Sequence, residues 1–226
     1  MEETLRLTSP LDGFEFEAFH VTPPDARLGG LVLVQEIFGV TEHIRDLCRR
    51  FAAEGFEVIA PSLFDRAQPG FSAGYDAEGV ARGRAISEAT PWNQVEGDLR
   101  ASVAALKGPV FVTGFCWGGT AAWLAACRID AVDAASSFYG RRIPELIDEA
   151  PLSPIILHFG RTDPTIPLET VDLIRECYPD LPVHVYEAGH GFFSDRRQDY
   201  CEEAAKLAYL RTLQVFHRNL GVRGEV

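Results

Sequence analysis

A cysteine set between glycines is the first place in this chain to look for chemistry. Residues 110–122 run Val-Phe-Val-Thr-Gly-Phe-Cys-Trp-Gly-Gly-Thr-Ala-Ala, which reads as a short apolar strand, a tight turn and a helix of small residues. Glycines flanking a reactive residue are what a sharp strand-to-helix turn requires, because the neighbouring backbones come too close for a Cβ. Such a turn projects Cys116 beyond the strand end. The first amides of the following helix, at the positive end of its dipole, then face the sulfur. These surroundings favour a thiolate over a thiol, so Cys116 is a candidate nucleophile. The plainer alternative is a buried cysteine at a helix start.

A nucleophile at one strand end needs partners at others. The apolar run 155–159 is followed by Gly160-Arg161-Thr162-Asp163-Pro164, and the run 183–187 by Ala188-Gly189-His190-Gly191-Phe192. By itself Asp163 is a residue of a common Thr-Asp-Pro turn, and His190 a loop histidine. Taken with Cys116 they give a nucleophile, an acid and a histidine in chain order, each just past a strand. That arrangement lets His190 exchange a proton with the sulfur while Asp163 fixes the imidazole tautomer. A tetrahedral oxyanion needs preorganised donors. The amide of Trp117 is one candidate, and the segment Glu36-Ile37-Phe38-Gly39, after an earlier strand, is the place for a second.

Stepping outward, the elements that must hold these residues alternate in type. Strand-like runs are expected at 14–19, 31–36, 56–61, 110–115, 131–139, 154–160 and 182–187. Helical spacing is found at 42–54, with Ile44, Leu47, Cys48 and Phe51 on one face, and at 92–107, with Val95, Leu99, Val103 and Leu106. Further helices are expected at 77–87, after the turn at 116, at 168–177 and at 198–219. The last has Ala204, Leu207, Leu210, Leu213 and Phe216 as its buried stripe. Near-continuous apolar strands between helices imply an α/β fold, a mostly parallel sheet with helices on both faces. No repeat or linker divides the chain, so residues 1–226 are expected to form a single domain. His158, inside a strand run, is expected to be a core histidine with a hydrogen-bond partner.

Composition narrows the function. The 226 residues carry a net charge of −12, which disfavours nucleic acid and an anionic membrane surface as partners. Lysine occurs only as Lys107 and Lys206, so arginine supplies nearly all the positive charge. No run reaches the ~20 apolar residues of a membrane span, and residues 1–20 lack the pattern of a signal peptide; a cytoplasmic location is expected. The five cysteines are widely spaced and include no Cys-x-x-Cys, which disfavours a disulfide framework or zinc site. A site with no metal or cofactor is expected, acting on a small molecule in a monomer or small homo-oligomer.

Four segments together, Gln35-Glu36-Ile37-Phe38-Gly39-Val40, Gly114-Phe115-Cys116-Trp117-Gly118-Gly119, Gly160-Arg161-Thr162-Asp163 and Gly189-His190-Gly191-Phe192, resemble those of the dienelactone hydrolase family. The resemblance spans nearly the whole chain. It implies an α/β-hydrolase fold, a Cys116–His190–Asp163 triad and an oxyanion hole formed by the amides of Ile37 and Trp117. It also implies that Glu36, otherwise an ordinary strand-end carboxylate, contacts the resting thiol and helps generate the thiolate. The implied activity is cleavage of a small activated ester or enol-lactone such as dienelactone.

In that family arginines hold the substrate carboxylate, one of them four residues after the catalytic histidine, where this chain has Ser194. Arg196 and Arg197 follow it, and Arg82 and Arg84 occupy the region that carries the second family arginine. These four, with Tyr75 as either pocket wall or packing residue, are the candidate substrate-binding residues. The alternative function is a carboxylesterase or thioesterase for another small acyl group, without dienelactone activity. A non-catalytic binder or a peroxide-sensing thiol fits the motifs less well.

Overall fold

The computed structural model describes residues 1–221, and its strands follow the apolar runs. In chain order they are β1 (Glu2–Thr8), β2 (Glu15–Val21), β3 (Gly29–Val34), β4 (Phe56–Pro61), β5 (Val110–Phe115), β6 (Ala134–Phe138), β7 (Ile155–Gly160) and β8 (Val183–Tyr186). They form one sheet in the order β1-β2-β4-β3-β5-β6-β7-β8. The β1–β2 and β2–β4 pairs are antiparallel and all others parallel. Every residue of β3, β5, β6 and β7 is buried, as expected for parallel strands covered on both faces.

Among the described residues there are six α-helices: α1 (Glu42–Ala53), α2 (Ala77–Ala89), α3 (Trp92–Ala104), α4 (Trp117–Arg128), α5 (Leu168–Cys177) and α6 (Glu202–Arg218). Helix α1 packs on β2 and β4, α6 on β6 and β7, and α4 on β3, β5 and β6. The small residues of α4, Gly118, Gly119, Ala121, Ala122, Ala125 and Ala126, are all buried, so this helix lies close against the sheet. Because β3, β5, β6, β7 and β8 run parallel, their carboxyl ends share one edge. Ligand sites in open α/β sheets form beyond that edge, and the loops there carry Glu36, Cys116, Asp163 and His190.

The structure corrects three expectations. Strand β1 was not expected; its residues are mostly exposed at the sheet's outer edge, and only Leu5 and Leu7 pack on the core. The run at 31–36 leaves the sheet after Val34, so Gln35 and Glu36 lie in the loop. In α6 the buried face is Ala204, Ala205, Ala208, Tyr209, Thr212, Leu213 and Phe216, while Leu207 and Leu210 face solvent. Ala204, Leu213 and Phe216 are buried as expected; Leu207 and Leu210 are displaced from the buried face by Ala205, Ala208 and Thr212, small residues that let α6 approach the sheet. His158 is buried as expected, bonded to Tyr186 and Thr212 hydroxyls.

Candidate active site

The turn after β5 is built around Cys116. Its φ of +56° lies in the left-handed region, rarely adopted by a side-chain-bearing residue. The Cys116 amide donates to the Phe138 carbonyl of β6 at 3.0 Å, which ties the turn to the neighbouring strand. Gly114 lies against the Gly118 carbonyl, and Gly118 against the backbone carbonyls of Val34 and Gln35; a Cβ at either would overlap them. The glycines are therefore required by close approach, and the approach of Gly118 to Gln35 brings the segment after β3 beside the turn that carries Cys116.

His190 lies between Cys116 and Asp163. Its Nε2 is 3.1 Å from Cys116 Sγ and its Nδ1 is 2.6 Å from Asp163 Oδ2. The second oxygen of Asp163 accepts from the Thr165 amide at 2.7 Å, the Thr165 hydroxyl at 2.8 Å and the Ile166 amide at 3.2 Å. Burial alone would raise the Asp163 carboxyl, but the hydrogen bonds from His190 and Thr165 outweigh it and hold it below the usual carboxylate range. Burial likewise works against a charged His190. The Cys116 sulfur and the Asp163 carboxylate outweigh it and raise the imidazole pKa to about 10.

Glu36, in the loop after β3, is 1% exposed. Its carboxylate accepts from the Tyr75 hydroxyl at 3.2 Å and pairs with the Arg197 guanidinium at 3.4 Å. The thiol's partner is His190, and Glu36 is held by Tyr75 and Arg197 instead.

A cavity of about 390 Å³ opens over the sulfur, with Ile37, Phe38, Val80 and Trp117 as apolar walls and Cys116 and His190 at its base. Arg84, Arg141, Arg142 and Arg197 also line it. Arg142 is engaged with Glu145 at 2.8 Å and lies over the Trp92 ring. The guanidinium groups of Arg84 and Arg141, both exposed residues, make no ion pair or hydrogen bond among the described residues.

Three candidates from the sequence lie elsewhere. Arg82 stacks over Phe71; Val80, Arg84, Ser87 and Glu88 form the cavity face of α2, and two residues from Arg84 a helix has turned about 200°. Arg196 reaches Asp46 at 3.3 Å and Asp195 at 3.4 Å on the surface. Tyr75 packs on Phe38 and supports Glu36 rather than lining the cavity. Sequence reasoning missed Arg141 and Arg142; their position just past β6, on the edge that carries the site, was the available signal. Among the described residues no group of three His, Cys, Asp or Glu side chains is arranged to hold a metal, and no helix is long and apolar enough to cross a membrane.

A model of the Dienelactone hydrolase family matches residues 16–220. The chain belongs to the dienelactone hydrolase family. A carboxymethylenebutenolidase of Pseudomonas putida is 31% identical over 215 residues, covering 89% of this chain and 91% of that protein. A Synechocystis protein assigned the same activity is 34% identical over 212 residues, covering 84% and 86%. The crystal structure of a Klebsiella pneumoniae protein assigned as a dienelactone hydrolase superposes with a TM-score of 0.83 at 32% identity, covering 96% and 99%. The family and the fold make this chain a hydrolase of the α/β-hydrolase type, acting on carboxylic esters.

Proposed function

We propose that this hydrolase opens a small activated ester or enol-lactone through an acyl-enzyme on Cys116. The observation that carries the reading is the placement of His190 between Asp163 and the Cys116 sulfur, at 2.6 and 3.1 Å. Cys116 Sγ attacks the carbonyl carbon and the C=O π pair moves onto oxygen. The amides of Ile37 and Trp117, both at the cavity wall beside Cys116, hold that oxyanion. Collapse breaks the carbon–oxygen bond to the leaving group, which takes the proton from His190 Nε2 as an enol or alcohol. Water then attacks the thioester, giving its proton to His190, and the sulfur leaves as thiolate with release of the carboxylic acid. Asp163 keeps the imidazole oriented throughout. A thiolate serves best where the leaving group is a stabilised enolate, because it is itself a good leaving group from the tetrahedral intermediate.

Arg84 and Arg141 are the residues we assign to a substrate carboxylate, since Arg197 is committed to Glu36 and Arg142 to Glu145. Glu36, with Arg197 and Tyr75, acts as a buried charge that shapes the thiolate's surroundings. We take the acting unit to be a single domain, expected over residues 1–226, of which 222–226 lie outside the described residues.

The test uses purified protein with dienelactone and a p-nitrophenyl ester. Cys116→Ala abolishes turnover of both, and wild-type rates in that variant overturn the mechanism. Arg84→Gln and Arg141→Gln each raise KM for the carboxylate-bearing lactone roughly tenfold with kcat little changed, and leave the neutral ester unaffected. Hydrolysis of the neutral ester without lactone opening would instead favour the carboxylesterase or thioesterase reading, which the apolar wall of Ile37, Phe38 and Val80 would serve.

A further inference from the structure

Tyr139 is a buried residue beside the nucleophile that the mechanism above does not use. It follows Phe138 at the end of β6. With Cys116 it is one of two non-glycine residues of positive φ among the described residues, at +40° and +56°. A tyrosine in this region is costly and has to be held there by its neighbours. The Cys116 amide donates to the Phe138 carbonyl at 3.0 Å, and the Tyr139 amide donates to the His158 carbonyl at 2.7 Å. Gly140, the next residue, lies against Gly119 and Thr120 of α4 with no room for a Cβ. The bend at Cys116 and the bend at Tyr139 are thus joined across the β5–β6 pair.

That coupling sets the tyrosine ring beside the catalytic imidazole. The Tyr139 and His190 ring centroids are 5.0 Å apart, with Phe192 edge-on to Tyr139 at 5.4 Å. The side chain is fully buried, yet its hydroxyl has no hydrogen-bond partner among the described residues. The hydroxyls of Tyr75, Tyr178, Tyr186 and Tyr209 all have one. Buried polar groups without partners are rare, and one kept at a functional site calls for a reason. The groups that act electrostatically on this phenol are Glu36, Arg197, Cys116 and Tyr75. Burial first, and then the Glu36 carboxylate, push its pKa well up, so the phenol keeps its proton.

We propose that Tyr139 is a positioning residue for the nucleophile: its ring fixes the His190 imidazole, and its hydroxyl dipole, turned toward the buried anions, stabilises the Cys116 thiolate without a direct bond. In a site shielded from water such a dipole acts strongly and needs no reorganisation during reaction. The proton leaves Cys116 for His190 Nε2, the bonding electron pair stays on sulfur, and the phenol neither gains nor loses a proton. The inference rests on the reading of Cys116 as nucleophile.

Tyr139→Phe keeps the ring and deletes the dipole. The acid limb of Cys116 alkylation by iodoacetamide moves up by about half to one pH unit, a roughly three- to tenfold lower rate on that limb, and the two proteins converge above it. kcat falls in step and KM stays unchanged, while thermal stability holds or rises because an unpaired buried hydroxyl has been removed. Replacing Tyr139 with 3-fluorotyrosine, a stronger dipole donor, moves the alkylation rate the other way. A Tyr139→Phe protein whose alkylation profile and kcat superimpose on wild type overturns the proposal, as does a fluorotyrosine protein that shifts in the same direction as Phe. If Cys116 of the wild-type protein reacts no faster than the exposed Cys177, the nucleophile reading has failed and the Tyr139 proposal falls with it.

Discussion

His158, inside β7, and His190, in the loop beyond β8, are both buried, at 0% and 7% exposure, but their neighbours drive them to opposite charge states. The ring nitrogens of His158 meet only neutral hydroxyls. Its Nδ1 is 2.9 Å from the Tyr186 hydroxyl and its Nε2 is 3.2 Å from the Thr212 hydroxyl. Arg211 donates to the Tyr186 oxygen at 3.0 Å, so the tyrosine's own proton goes to Nδ1 and Nε2–H donates to Thr212. This order gives each donor an acceptor. Burial, with His184 and Arg211 nearby, holds His158 well below the usual histidine range. His190 is also desolvated, but it has the Asp163 carboxylate on one nitrogen and the Cys116 sulfur on the other, and these raise its pKa to about 10. Burial alone therefore does not decide whether a histidine works as a neutral brace or as a charged participant; the partners of its two nitrogens do.

The largest expected effect comes from removing the partner that charges His190. Asp163→Asn leaves the packing in place but no longer favours the imidazolium or its tautomer, and kcat falls about 10³–10⁴-fold; a loss under tenfold in steady-state hydrolysis would break the contrast. Next is the neutral site. Thr212→Val keeps the shape of a fully buried side chain but strips His158 Nε2 and Ser136 of a hydroxyl 3.2 and 2.8 Å away. Chemical denaturation then reads a loss of about 1–3 kcal/mol, with kcat unchanged. A smaller effect is an acid limb in stability. Folded His158 binds its proton more weakly than an unfolded histidine, whose pKa is about 6.5. The unfolded chain therefore holds more protons at low pH, and stability declines as pH falls through that value. His43 and His184, also shifted down by burial, add to the same limb. Denaturation midpoints that rise on acidification from pH 7 to 5 would contradict this sign.

The same contrast explains what the chain revealed before folding. The glycine-flanked Cys116 and His190 were readable because a sharp turn and close backbone approach leave a glycine signature on both sides. His158 was readable as a core residue because it interrupts a continuous apolar run. The polar cavity wall was harder. Arg141 and Arg142 lie in a loop whose sequence has no periodicity, and only the order of strands in the sheet brings them over Cys116. Arg82 and Arg84 look equivalent in sequence, and the helical phase of α2 separates them. Tyr139 gave no sign, since its role depends on a left-handed backbone that side-chain residues seldom adopt. In α6 the leucines misdirected the reading because alanines and Thr212 make the close contact with the sheet.

Nitrogen-15 NMR of histidine side chains across pH 5 to 9 tests most directly whether partners rather than burial set the charge. Both nitrogens of His190 are expected to remain protonated throughout that range, in line with a pKa raised to about 10, while His158 stays neutral as the Nε2–H tautomer. A His190 signal that titrates near an ordinary histidine value, or a His158 signal that gains a proton before the protein unfolds, would contradict that expectation.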